Sequence, residues 1–290
     1  MRRFSTIALC CVLLGAQAAS TVPLTPAGNG HLVAPVFVNG KGTLPFVVDT
    51  GADGSYVYEW FARQQGLDKG EPMKVEGMTG AAMMNRYRVT SLSLDGKTIR
   101  NIEALGLPDR KDAEIEAGVI GNDLMDGTLV AFDFPCRTIT VTPKPAAIDT
   151  MLNASAAMVE GKPVPDGTQL AFTVTVNGVR GTAILDTGSR GTEINPVFAQ
   201  KAGIALGGKG DALYGAAGHK FSTQAATIER LSFAGHTEQD VAVKVADLPV
   251  FASFGLGDKP AMIFGMNAMA SFRLLYDHEG RRFWFDRSGC

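Results

Sequence analysis

Several things are scarce in this chain of 290 residues, and each scarcity narrows its chemistry. Histidine occurs four times, at His31, His219, His236 and His278, scattered without the spacing of metal ligands. Cysteine also occurs four times. Cys10 and Cys11 sit in an N-terminal apolar stretch, which leaves Cys136 and Cys290 for at most one bridge; whether they pair stays open, because a disulfide demands a separation that sequence does not give. No metal site and no cofactor are expected. Excess charge is lacking too: 27 basic and 29 acidic residues give a formal net charge of −2, which offers nucleic acid or an anionic membrane no footing. Gly207-Gly208-Lys209-Gly210 lacks the spacing of a phosphate loop.

Long apolar runs are missing with one exception. Ile7 to Leu14 is apolar, preceded by Arg2 and Arg3 and followed by Ala16-Gln17-Ala18, the pattern of an export signal over residues 1–18. Its core is too short to span a bilayer. The mature protein is therefore expected to be periplasmic or secreted, with no membrane contact after the signal is removed.

What is present is a duplication, and missing one would misassign the whole fold. Asp49-Thr50-Gly51 recurs as Asp186-Thr187-Gly188, an offset of 137. Val38-Asn39-Gly40 answers to Val176-Asn177-Gly178, Phe61-Ala62 to Phe198-Ala199, Gly77 and Gly80 to Gly215 and Gly218, and Val119-Ile120-Gly121 to Ile263-Phe264-Gly265. Small drifts in the offset mark short loop insertions. The reading is two lobes, residues 19–145 and 169–290, joined by a proline-rich linker over 146–168. Asn153-Ala154-Ser155 within that linker fits a glycosylation sequon, a pattern short enough to arise by chance.

Both lobes read as all-β. Leu32 to Val38 and Leu170 to Val176 are rich in strand formers and end in Asn-Gly, a strong hairpin signal. The returning strands, Leu44 to Val48 and Thr182 to Leu185, lead directly into Asp-Thr-Gly. A short helix is expected after each motif: Asn195 can cap one, with Pro196 in its first turn and Gly203 at its exit, and Tyr58 to Gln65 forms the other, ending at Gly66. Further helical turns are expected from Asn122 and from Met266. Asp133 and Asp277, each ahead of a hairpin and a basic residue, read as structural turn residues.

An aspartate at the end of a buried strand, followed by Thr and Gly, is a carboxylate presented on a tight loop. One copy would be an ordinary turn. Two copies in matching surroundings make one composite site, since hydrolysis of a peptide bond by carboxylates needs two of them facing each other. Phe46-Val-Val-Asp-Thr-Gly-Ala52 with Val119-Ile120-Gly121, and Ala183-Ile-Leu-Asp-Thr-Gly-Ser189 with Ile263-Phe264-Gly265, resemble the retropepsin-like aspartic proteases, the family that includes retroviral proteases and, as a two-lobed relative, pepsin. The resemblance covers roughly Leu32 to Phe285. It implies a bilobal all-β endopeptidase with Asp49 and Asp186 as catalytic dyad. It also implies that each apolar-apolar-Gly segment packs beside its motif loop and that Thr50 and Thr187 bond across the lobes. Both halves lie in one chain, so a monomer acting on an extended peptide or protein should suffice. The rival readings are a peptide-binding protein that kept the fold and lost the chemistry, and an enzyme that still dimerises.

Two facing carboxylates share one proton, with one apparent pKa raised and the other lowered. Ala52 follows the first motif and Ser189 the second. A hydrogen bond from the Ser189 hydroxyl to Asp186 would stabilise that anion and leave the proton on Asp49. By the same resemblance Gly77-Met78-Thr79-Gly80 and Tyr214-Gly215-Ala216-Ala217-Gly218 are flaps over the cleft, their glycines permitting movement. Pepsin-like flaps also carry a Tyr-Gly pair, though in the first lobe. Met73, Met78, Met83 and Met84 give the first flap region an adaptable apolar character, suited above all to packing.

Overall fold

The computed structural model describes residues 21–110, 115–144, 148, 152–153, 156–216, 218–287 and 289–290. The expected export signal, Ala217 and two residues of the sequon lie outside them.

Two short strands, β1 (Val22–Pro23) and β2 (Thr25–Pro26), precede a hairpin of β3 (Leu32–Val38) and β4 (Lys41–Val48). Asn39 and Gly40 turn it with positive φ of 53° and 71°, the backbone that a two-residue hairpin turn requires. The chain continues through β5 (Tyr56–Tyr58), α1 (Glu59–Gln65), a long hairpin of β6 (Lys69–Gly77) and β7 (Gly80–Leu94), β8 (Lys97–Leu107), β9 (Gly118–Ile120) and α2 (Asn122–Met125). Next come β10 (Thr128–Asp133), β11 (Thr138–Pro143) and β12 (Ala157–Glu160).

The pattern then recurs as β13 (Lys162–Pro163), β14 (Leu170–Val176), β15 (Val179–Leu185), β16 (Thr192–Ile194), α3 (Pro196–Lys201), a small hairpin of β17 (Leu213–Tyr214) and β18 (Lys220–Phe221), β19 (Gln224–Phe233) and β20 (His236–Val245). It closes with α4 (Pro249–Ser253), β21 (Ala261–Phe264), α5 (Met266–Met269), β22 (Phe272–Asp277) and β23 (Arg282–Arg287). Asn195 caps α3 by accepting the Phe198 N–H at 2.9 Å, and Gly66 ends α1 in the left-handed region. The helix α4 was not foreseen, although Pro249 in its first turn is a start signal.

The duplication is visible strand for strand. The first sheet runs β2-β3-β4-β9-β5-β8-β7-β6 and the second β13-β14-β15-β21-β16-β20-β19, each folded back on itself by an extra pairing, β3 with β7 and β14 with β19. Among the described strands of the first sheet, β6 alone lacks a counterpart in the second. A third sheet, β1-β11-β10-β22-β23-β12, is shared between the halves, with β10 and β22 paired antiparallel at its centre. β1, β10 and β11 come to it from residues 19–145, and β22 and β23 from 169–290. The stretch 146–168, expected to be a plain linker, contributes β12 to the edge of the shared sheet and β13 to the second lobe, because Ala157 to Glu160 can add a ladder to the open edge of β23.

Apolar faces of all three sheets meet in one core. In the second half it is built from phenylalanines: Phe233 and Phe264 have ring centroids 4.8 Å apart, Phe172 and Phe283 5.2 Å, all edge to face, the geometry that aromatic quadrupoles favour. Asp133 and Asp277 hold the turns that follow β10 and β22, accepting the N–H of Cys136 and of Gly280. Asp277 is fully buried. Burial alone would raise its carboxyl, but Lys144 and Arg282, each at 2.9 Å, hold it below the usual range.

Cys136 and Cys290 are bonded, their Cα atoms 5.2 Å apart, which ties the end of the chain to the β10–β11 turn across 154 residues. Closing so long a loop removes much entropy from the unfolded chain. Replacing both cysteines by serine should lower unfolding free energy by about 2–4 kcal/mol, read as a lower denaturant midpoint in the oxidised protein. Reductant should bring the native protein to the same midpoint.

Candidate active site

The two Asp-Thr-Gly segments are loops at the ends of β4 and β15. Each strand lies parallel to the apolar-apolar-Gly strand of its own half: Val47 pairs with Val119 and Val48 with Ile120, Ile184 with Ile263 and Leu185 with Phe264. The carbonyls of Ile120 and Phe264 then accept the N–H groups of Asp49 and Asp186 at 2.9 and 3.1 Å. The closing glycines carry the loops at contact distance. A Cβ on Gly121 would sit 2.2 Å from the Gly54 carbonyl oxygen, and one on Gly265 1.8 Å from that of Gly191. Only glycine fits.

Between the loops the threonines interlock. Thr50 N–H donates to Thr187 Oγ1 at 3.0 Å and Thr187 N–H to Thr50 Oγ1 at 3.1 Å. Each hydroxyl in turn donates to a strand-end carbonyl of the other half, Thr50 to Leu185 at 3.1 Å and Thr187 to Val48 at 2.7 Å. All four groups are buried and satisfied. This clamp brings Asp49 against Gly188 and Asp186 against Gly51, so that the two buried carboxyls face each other and each shifts the other's titration. Gly51 N–H donates to Asp49 at 2.7 Å and Ser189 N–H to Asp186 at 2.8 Å.

A protein-family model described as Aspartyl protease matches residues 34–124 and 172–268, one segment for each half. The chain belongs to the aspartyl protease family. No curated protein matches it.

In this member of the aspartyl protease family the two carboxyls are unequal. Burial and then the charge of Asp186 push Asp49 well above the ordinary carboxylate range. Burial raises Asp186 as well, but there its interaction with Asp49, the amides of Ser189 and Gly188, and the charge of His31 oppose it, whereas at Asp49 only the amides of Gly51 and Gly188 do. The inequality does not come from the Ser189 hydroxyl, contrary to the expectation from sequence. That hydroxyl turns away from Asp186, to the Gly191 carbonyl at 2.9 Å and to Glu193 Oε2 at 3.0 Å, because the Ser189 backbone N–H already takes the facing carboxylate oxygen.

The aspartates sit on the floor of a cleft of about 360 Å³ between the halves. A larger and shallower groove, about 710 Å³, lies on the second half but touches neither aspartate, so the cleft is the candidate site. Both expected flap segments roof it. Gly77 and Gly80 close the β6–β7 hairpin, with Met78 and Thr79 at its tip. Gly215, Ala216 and Gly218 lie in the turn between β17 and β18, Gly218 N–H bonding the Gly215 carbonyl at 2.9 Å; Ala217 is not described. The tips meet: His219 Nδ1 lies 3.2 Å from the Thr79 carbonyl, and Met78 packs with the apolar cluster that includes Val250. Tyr214 is 40% exposed and stacks under Arg110 and Lys220. Of the four methionines, Met84 is core, Met78 is partly buried, and Met73 and Met83 are exposed.

Sequence reasoning passed over several residues here. Ser55 and Thr192, six residues past each aspartate, brace the loops: Gly121 N–H donates to Ser55 and Gly265 N–H to Thr192, both at 3.3 Å. Their shared offset of 137 was the available signal. Gln169 donates to the Gly51 carbonyl at 3.1 Å, and Asn122 to that of Thr50 at 3.2 Å. Glu193 is the acid that nothing announced, 1% exposed in β16, with Lys244 Nζ 3.9 Å away.

Burial raises the Glu193 carboxyl from 4.5 to about 8, against the opposing pull of Lys244. Between those two values the folded protein keeps a proton that the unfolded chain has released, so stability falls as pH rises through that window. Glu193→Gln should flatten this slope. Urea unfolding at about pH 5 and about pH 8.5 checks it: an equal slope in both proteins would mean that Glu193 is already ionised in the fold.

Proposed function

We propose that this family member is an exported aspartic endopeptidase that hydrolyses peptide bonds in the cleft between its lobes. The observation that carries the reading is the pair of buried carboxyls, one from each Asp-Thr-Gly loop, held face to face by the threonine clamp. A binding cleft gains nothing from forcing two acids together.

The inequality of the pair supports an assignment of roles. Asp186, whose anion the charge of His31 also favours, is the ionised member and takes a proton from the attacking water. Asp49, held high by burial and by its neighbour, is the acid that polarises the scissile carbonyl. The tetrahedral intermediate collapses when a proton reaches the leaving amine, and the dyad returns to its singly protonated state. Nothing in these steps needs a covalent intermediate. An extended peptide lies along the cleft under the two meeting tips, which must part to admit it. Both halves of the site lie in one chain, so a monomer is sufficient. Export follows from the signal pattern of residues 1–18, and the Cys136–Cys290 bond suits an oxidising compartment.

Mature protein incubated with a mixed peptide library should cut it, and Asp49→Asn or Asp186→Asn should each lower kcat/KM by about a hundredfold or more. The pH profile should show two apparent limbs belonging to the pair, the upper one lying above the ordinary carboxylate range because of the raised Asp49. If the wild type cuts nothing across acidic to neutral pH, or either variant cuts as well, the peptide-binding reading takes its place.

A further inference from the structure

The cleft is built by a duplication, yet its two sides differ in chemistry at three matched positions. Asp53, four residues past Asp49, answers to Arg190, four residues past Asp186. Tyr56 answers to Glu193 at the same offset. The strand partner of Tyr56 is Leu105, and the strand partner of Glu193 is Lys244. The Asp49 side is therefore an acid, an aromatic and an aliphatic residue, while the Asp186 side is a guanidinium, a carboxyl and an amine. Tyr56 belongs to an apolar cluster with Tyr58, Leu107 and Val119. Glu193 and Lys244 replace that apolar surface, and both line the cleft together with Arg190.

We propose that Lys244 and Glu193, with Arg190 beside them, form a subsite on the Asp186 side of the cleft that takes an acidic side chain of the substrate, while the matched Tyr56 side takes an apolar or aromatic one. The inference rests on the endopeptidase reading and adds the substrate class to it.

The fixed partners on the page decide the polarity. Asp53 is occupied, accepting both the N–H and the hydroxyl of Thr168 at 2.7 and 2.6 Å. Arg190 gives one guanidinium nitrogen to the Asn29 carbonyl and keeps its other donors. Glu193 is faced by Lys244 from β20, by Asp186, Ser189 and Arg190 from the motif loop, and by the apolar Ile263 from β21. Buried among these it stays a neutral acid up to about pH 8. The Lys244 ammonium, 3.9 Å from that neutral carboxyl and less deeply buried, and the Arg190 guanidinium both line the cleft. An incoming carboxylate can accept from these two cations, with no ionised Glu193 to compete for Lys244. A lysine or arginine side chain would meet Lys244 and Arg190 and be repelled. Above about pH 8 Glu193 ionises, pairs with Lys244 internally, and the pocket loses its preference.

The test uses the mature protein and peptides in which each residue flanking the cleaved bond is varied among Glu, Gln, Leu and Lys. At one flanking position Glu should exceed Gln and Lys in kcat/KM by about tenfold or more, with Leu preferred at the other position. Lys244→Met should erase the Glu preference and Lys244→Arg should keep it. Raising the pH past about 8 should weaken it in the wild type and not in Glu193→Gln. Equal cleavage of all four peptides, a preference for Lys, or a Glu preference that survives Lys244→Met would overturn the proposal. Calorimetric binding of the same peptides to Asp49→Asn protein repeats the comparison without turnover. If no peptide is cut but Glu peptides still bind tighter in a Lys244-dependent way, the endopeptidase reading falls and the subsite stands. If binding is also indifferent, the subsite falls.

Discussion

The reciprocal clamp of Thr50 and Thr187 is the interaction on which the rest of this structure depends. A threonine hydroxyl offers one donor and two acceptor positions, and here each donates to the opposite strand end and accepts the opposite N–H. Each bond contributes only about 1 kcal/mol net, but all four are buried, and losing either hydroxyl would strand one buried donor and one buried acceptor of the opposite half. The clamp works only if the two loops are near copies. It also overcomes the repulsion that would otherwise drive Asp49 and Asp186 apart, which the pair relieves by holding one proton in place of two charges.

Much of this was legible before any coordinates. The Asn-Gly turns, the strands leading into Asp-Thr-Gly and the cap at Asn195 are local signals, fixed by φ, by strand period and by a side chain three residues from its donor. The glycines at 121 and 265 could be placed because the duplication set one register against the other. The shared sheet was not legible. β10 and β22 pair across 144 residues, and β12 joins through an edge that only the folded β23 provides. The Ser189 hydroxyl was misdirected for a related reason: its true acceptor, Glu193, is four residues on, and a lone acid in Thr-Glu-Ile looks exposed until burial in β16 is known. Sequence announces a residue's chemistry, but the direction of a side chain depends on which neighbour has already satisfied the nearer partner.

A symmetric frame makes differences between the halves readable as function. The backbone around both aspartates is nearly interchangeable, so the higher pKa of Asp49 has to come from what surrounds it. Burial dominates at both and amides oppose it at both; the difference is that the charge of Asp186 adds to the rise at Asp49, while that of His31 favours the anion at Asp186. The same logic applies farther along the cleft, where one copy kept Tyr56 and Leu105 and the other carries Glu193 and Lys244. A pseudo-symmetric floor would by itself offer an extended chain two equivalent orientations; unlike walls remove that equivalence.

The roof obeys a different rule from the floor. The clamp bonds run from 2.7 to 3.1 Å within a buried core, whereas the contacts closing the roof are long and few: Val250 N–H to the Met78 carbonyl at 3.4 Å, Ser253 to Glu76 at 3.3 Å and His219 to Thr79 at 3.2 Å. Thr79 is only 2% exposed, wedged against Gly215, yet its hydroxyl finds no partner among the described residues. An unmet buried hydroxyl costs about 1–3 kcal/mol, which cancels much of what those contacts supply. An opening of the tips, as proposed for substrate entry, would break only these weaker contacts and leave the clamp under the aspartates untouched. The tip at Met78 and Thr79 belongs to the long β6–β7 hairpin, whose outer strand β6 is an edge strand with mostly exposed residues.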